Sequence, residues 1–247
     1  MRFRPRLLSL FAALAVLAGP AAAVASEVKP ARTVIELFTS QGCSSCPKAD
    51  RLLGELAADP RFIALSLAVD YWDYLGWRDT LALHAHSVRQ KGYANHRGDR
   101  HVYTPQAVLN GTAEAIGNKR HEIERAAATV EKKNLLAVSV ALKRGDTNIE
   151  IEVGEGPGPA ASIWLVSVLT KAPVTIERGE NRGKTITYHN VVRGWIKLAD
   201  WNGGAVTKSH SIAELAQGGA DAIVVIVQNG SVETPGAIRG AAMLALH

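Results

Sequence analysis

The apolar patterning of this chain changes once, near residue 134, and that change limits the folds open to it. From Thr33 to Lys133 short β-rich runs alternate with helical patterns, as in an α/β unit. Residues 34–38 read as a strand and 48–58 as a helix with Leu52, Leu53 and Leu56 on one face. Residues 62–69 form an almost unbroken apolar run, the mark of a strand covered on both faces. An aromatic-rich loop from Asp70 to Trp77 precedes a predicted helix over 79–91. Asn110-Gly111 between two short apolar runs signals a tight hairpin. Residues 118–133 then read as a helix with Ile123, Ala126, Ala127 and Val130 inward.

After Asn134 helices nearly stop. Apolar or alternating runs at 135–142, 148–153, 162–170, 184–198 and 222–228 are separated by Gly-, Pro- and Asn-rich turns, with one short helical stretch at 211–216. This spacing predicts a mainly antiparallel β-sandwich. The expected organisation is therefore an α/β unit over 26–134 followed by a β-sandwich over 135–247.

The first 25 residues read differently again. Arg2, Arg4 and Arg6 precede an apolar run over 7–18 and small residues up to Ala25, the pattern of a secretory leader cleaved after Ala25. The run is shorter than the roughly 20 residues a membrane span needs, and no later segment is apolar for long enough to anchor the chain. The protein is thus expected to be exported, periplasmic or secreted. Removing the three leader arginines from the formal charge of +5 leaves +2, and no Lys/Arg run with interleaved aromatics is present, so nucleic acid is excluded as a partner.

Both cysteines lie in one short segment, Cys43-Ser-Ser-Cys46. Three readings compete. A structural staple is a poor use of so small a loop, worth about 2 kcal/mol on chain-entropy grounds against about 4.7 for a hundred-residue loop. A closed zinc site needs four ligands, and the eight histidines show no matching spacing; two thiolates with one of His84, His86, His96 or His101 would suit Cu(I). The third reading is thiol–disulfide exchange. The pair sits where a strand runs into a helix, where free N–H groups and the helix dipole favour an anion. Cys43 is then the attacking thiolate and Cys46 the resolving thiol, with Pro47 tolerated in the first turn. The exchange reading implies a protein or small-molecule thiol or disulfide as partner, no organic cofactor and no metal. Copper handling through Cys43 and Cys46, or binding through the β-sandwich alone, stays open as an alternative, and the oligomeric state is left open.

The Cys43-Ser-Ser-Cys46-Pro47 segment after a strand, with Tyr103-Thr-Pro105 ahead of a hairpin, resembles the two halves of a thioredoxin active site. More closely, the run from Glu36 to Pro47, the segment Val69 to Trp77, and Gly179-Glu-Asn with Thr187-Tyr-His-Asn-Val-Val192 resemble the secreted family DUF1223. The resemblance implies a thioredoxin-like fold with an insertion in the 70–100 region. It also implies a cis Pro105 which, with Thr104, positions the partner beside the sulfurs. Glu36, seven residues before Cys43 and one off the usual offset, takes by the same resemblance the place of a buried carboxylate that moves the proton of the resolving cysteine. Gly42 stands where thioredoxins usually carry tryptophan, and Ser44-Ser45 replaces Gly-Pro.

Overall fold

The computed structural model describes residues 31–99 and 101–247; the leader over 1–25 lies outside them. Strand β1 (Thr33–Thr39) and strand β2 (Phe62–Ala68) pair in parallel, and every residue of both is buried. Helix α1 (Cys46–Ala57) makes the crossover between them, as parallel neighbours require. The side chains of β1 alternate between two cores. Ile35 and Leu37 pack with Ala49, Leu52, Leu53 and Leu56 of α1, whereas Val34 and Phe38 pack on the other face with Leu65 and Tyr93.

Helix α2 (His84–Arg97) supplies Tyr93 and so covers the face opposite α1. It starts five residues later than the apolar pattern suggests, because Asp79 and Thr80 are engaged elsewhere: Asp79 accepts from the Gln41 and Leu81 N–H groups. Strands β3 (Gln106–Leu109) and β4 (Ala113–Ile116) form the expected hairpin, with Asn110 and Gly111 at φ 47° and 70°. Left-handed backbone at both positions is what selects Asn-Gly here. The Asn110 side chain also accepts from the Val34 N–H at 2.7 Å, which pins the turn to β1. Helix α3 (Arg120–Lys132) returns to the α1 face through Ile123, Ala127 and Val130.

The C-terminal half contains β5 (Val140–Arg144), β6 (Asn148–Val153), β7 (Ala161–Thr175), β8 (Thr185–Trp201), β9 (Val206–Ser211), the single-turn α4 (Ile212–Leu215), β10 (Ala222–Gly230) and β11 (Pro235–Ala245). Two layers of strands do stack here, but the larger layer is not a sheet of its own. One eight-stranded sheet runs β11-β10-β7-β8-β2-β1-β3-β4, and only β5-β6-β9 form a second, antiparallel sheet. The join is at β2, which meets β8 in parallel at Ser66 and Val191, and Asn190 of β8 donates its amide to the Ala64 carbonyl at 2.9 Å. A strand as uniformly apolar as β2 needs neighbours on both edges and cover on both faces. In consequence Val34, Phe38 and Leu65 share one core with Val166, Val168, Val192 and Val224. The small sheet packs Leu142, Ile149 and Ile151 against Ile163, Leu165, Ile223 and Val225. Strands β9 and β11 escape the periodicity reading because β9 is polar with no buried residue, and β11 is rich in glycine and alanine.

Candidate redox site

Cys43 and Cys46 are joined as a disulfide at the mouth of α1, with Cα atoms 5.4 Å apart. Cys46 is the first helical residue and is fully buried; Cys43, in the turn just before it, is 4% exposed. The turn is held by backbone hydrogen bonds from the Cys43 N–H to the Ser40 carbonyl and from the Cys46 N–H to the Cys43 carbonyl. The Ser45 hydroxyl donates to the Cys43 sulfur at 3.4 Å. No side chain caps the helix, and Pro47 occupies its first turn.

The Thr104–Pro105 peptide is cis, and the Thr104 carbonyl oxygen lies 3.7 Å from the Cys43 sulfur. Residues 61 positions apart in sequence are therefore brought to one point, as expected. The 70–83 loop closes over that point. Trp72 donates its indole N–H to the Thr104 hydroxyl at 2.8 Å, and Trp77 donates to the Gln41 side-chain carbonyl at 2.7 Å. Trp72 also explains Gly42: a Cβ there would sit 3.1 Å from the Trp72 Cβ and 3.2 Å from its carbonyl oxygen. Beyond Trp72 the ring of Tyr74 stacks at a centroid distance of 6.3 Å and stands 77% exposed.

Glu36 is fully buried but lies away from the cysteines. It belongs to the Val34/Phe38 face of β1, whereas α1 covers the Ile35/Leu37 face. A strand's side chains alternate, so an offset of one residue sends the carboxylate through the sheet to the other side. There it accepts from Arg89 Nε at 2.7 Å and Nη2 at 3.1 Å, and from the Tyr93 hydroxyl. Gln228 completes this network by accepting from Arg89 at 2.8 Å and donating to Tyr93 at 2.8 Å. Both Glu36 oxygens are thus committed to Arg89 and Tyr93 in a network that ties β1, α2 and β10 together, and the proton role expected of Glu36 has no geometric basis.

A different carboxyl lies on the cysteine side. Asp50 follows Cys46 by one helical turn, which sets the two Cβ atoms about 5–6 Å apart on one face. It is 1% exposed. One oxygen accepts from the Thr39 hydroxyl at 2.7 Å, and the other has no protein partner. Burial pushes this carboxyl up to about 8, outweighing the Thr39 hydrogen bond, and the nearby Asp79 carboxylate acts in the same direction. The hydroxyls of Ser66 and Tyr188, also buried, are likewise unpartnered; burial and then Asp50 and Asp79 push the Tyr188 phenol up. Asp50 was legible as a charged residue on the apolar stripe Ala49, Leu52, Leu53, Leu56.

Asn181 was not legible. It sits in the loop between β7 and β8, fully buried, and its amide donates to the carbonyls of Gln41 at 2.8 Å and Cys43 at 2.9 Å across about 140 residues of sequence. The C-terminal half thereby grips the cysteine turn directly.

Among the described residues, no group of three or more His, Cys, Asp or Glu is arranged to hold a metal ion. Of the histidines considered for copper, His84 pairs with Asp70 at 2.8 Å and His86 is buried with Nδ1 2.9 Å from the Ala68 carbonyl. Among the described residues no helix is long and apolar enough to cross a membrane.

No curated protein matches the chain. The crystal structure of an Agrobacterium tumefaciens protein, determined as a structural-genomics target, matches with a TM-score of 0.77 at 33% identity, covering 88% of this chain and 96% of that one. Residues 34–228, which include the disulfide, the cis proline and Asn181, match the family model of DUF1223, so the chain belongs to that family, described as proteins of unknown function.

Proposed function

We propose that the protein is an exported thiol–disulfide oxidoreductase whose working part is a thioredoxin-like unit. The observation that carries the reading is the disulfide at the start of α1 facing the carbonyl of a cis-prolyl peptide 3.7 Å away. The strand order β2-β1-β3-β4, with a parallel first pair and an antiparallel hairpin, supports it.

In the reduced protein the Cys43 thiolate attacks a substrate disulfide, one substrate sulfur leaves as thiolate, and a mixed disulfide forms. Cys46 then loses its proton and attacks the Cys43 sulfur, which releases the second substrate sulfur and closes the protein disulfide. Two electrons pass from the cysteines to the substrate. The reverse sequence oxidises substrate thiols. Asp50, rather than Glu36, exchanges the Cys46 proton: with its pKa near 8 it is mostly protonated at neutral pH and donates as the disulfide opens, and its ionised fraction accepts in the other direction. Thr104 and Pro105 offer backbone groups to the partner chain beside Cys43.

The test is to trap partners with a Cys46→Ser variant in the exporting cell and to measure the reduction potential of the Cys43–Cys46 couple. A disulfide-linked partner that is absent from Cys43→Ser/Cys46→Ser supports the reading. If nothing is trapped and the reduced protein instead retains one equivalent of Cu(I), the oxidoreductase reading fails.

A further inference from the structure

A cleft of about 660 Å³ lies between the outer face of α1 and the beginning of β8. Pro47, next to Cys46, stands at one end, and Arg51 follows one turn along. Lys184 and Thr187 form the opposite wall, and His189 lines the cleft where it meets Gly54. Gly54 makes the cleft's shape: a Cβ there would lie 2.6 Å from His189 Cδ2 and 2.8 Å from Nε2. A glycine inside a helix costs about 0.5–1 kcal/mol relative to alanine. Here it lets the imidazole seat against the helix backbone.

The charges on these walls that no opposite charge neutralises have one sign. Among the described residues, Arg51 pairs with no carboxylate, and Lys184 contacts only the neutral side-chain carbonyl of Asn181, at 2.8 Å. Glu55, the one acid on the walls, is held by Arg120. Lys171 sits across the strand pair from His189 and, after burial, helps to hold the imidazole below its usual range. The first turn of α1, where the helix dipole is positive, lies at the Pro47 end of the cleft.

We propose that this cleft is a subsite for the carboxylates of a small thiol or disulfide substrate that reacts at Cys43. The inference rests on the oxidoreductase reading and narrows its substrate class. Arg51 lies five residues beyond Cys46, about 8 Å along the helix axis, and Pro47 at the cleft's end is bonded to Cys46, so a tripeptide-sized thiol held at Arg51 spans the distance to the end of the helix where the disulfide sits. One thiolate attacks the Cys43 sulfur, the protein S–S bond opens, and Cys46 leaves as thiolate and takes a proton from Asp50. A second substrate thiolate then attacks the substrate sulfur of the mixed disulfide, releasing the Cys43 thiolate and the oxidised substrate. Two thiols are oxidised for each protein disulfide reduced.

The test compares glutathione with its dimethyl ester as reductants of the oxidised protein, with rates normalised to thiolate concentration and 2-mercaptoethanol as a carboxylate-free reference. Glutathione should react about fivefold faster than the ester at low ionic strength, the size expected of two screened charge pairs. The preference should vanish in 0.5 M salt and in Arg51→Glu, while the 2-mercaptoethanol rate stays unchanged. Equal rates for glutathione and ester, unaltered by Arg51→Glu, overturn the subsite and leave the oxidoreductase reading standing. Failure of every thiol to open the disulfide overturns both.

Discussion

Replacing Asp50 with asparagine separates the two consequences of burying a carboxyl beside the resolving cysteine. Asparagine keeps the acceptor oxygen for the Thr39 hydroxyl, which donates at 2.7 Å, and changes the volume little. In the wild type, the folded carboxyl titrates near 8 and the unfolded one near 3.8. Between those values the folded state holds a proton that the unfolded chain has released, so stability falls as pH rises through that window. Integrated from pH 5 to 9, the linkage amounts to about 4 kcal/mol. Urea unfolding of both oxidised proteins at pH 5, 7 and 9 measures it as a difference, in which groups common to both cancel. The Asp50→Asn protein should gain about 4 kcal/mol relative to wild type across this range. In rapid-mixing experiments its mixed disulfide with a model substrate should persist about a hundredfold longer, the lower end of the range for loss of an acid–base group. Parallel stability profiles, within about 1 kcal/mol, would refute the raised pKa; an unchanged resolution rate would refute the proton role.

Three further outcomes follow from the geometry. Arg89→Met should destabilise the fold by about 3–5 kcal/mol by stranding the Glu36 carboxylate in the core, and adding Glu36→Gln should recover much of that loss without altering thiol exchange per folded molecule; denaturant melts of the single and double variants decide it. Asn181→Leu leaves the Gln41 and Cys43 carbonyls without their side-chain donor, costing about 1–3 kcal/mol, and should shift the equilibrium of the disulfide with a glutathione redox buffer by more than fivefold, whereas a purely structural contact would move only the melting midpoint. Gly42→Ala should push Trp72 off the Thr104 hydroxyl at about 1–3 kcal/mol, seen as a change in tryptophan emission together with faster alkylation of reduced Cys43.

Much of the fold was legible because its signals are local. The apolar runs that became β1 and β2, the helical stripe of α1 and the Asn-Gly turn each act within a few residues, and backbone periodicity alone separates them. The cysteine pair and the Thr-Pro step are equally local, and the fold does bring them together. The position of Glu36 shows where such reading stops. Whether a strand residue faces one layer or the other depends on parity relative to the helix that covers it, and a single-residue offset reverses the answer. Chain order also could not show that β8 would complete the edge of β2, because strand pairing is chosen by the burial of a whole face rather than by any residue in it.

Composition and periodicity therefore decided which segments would be strands and helices, and that the cysteine pair would lie where the first strand runs into the first helix. The packing of distant segments decided the rest: that Asp50 is sealed from water with one oxygen unpartnered, which asparagine from the far half of the chain holds the Cys43 carbonyl, and which basic side chains frame the cleft beside them. Those choices depend on desolvation and hydrogen-bond geometry, which arise only when surfaces far apart in sequence exclude water from one another.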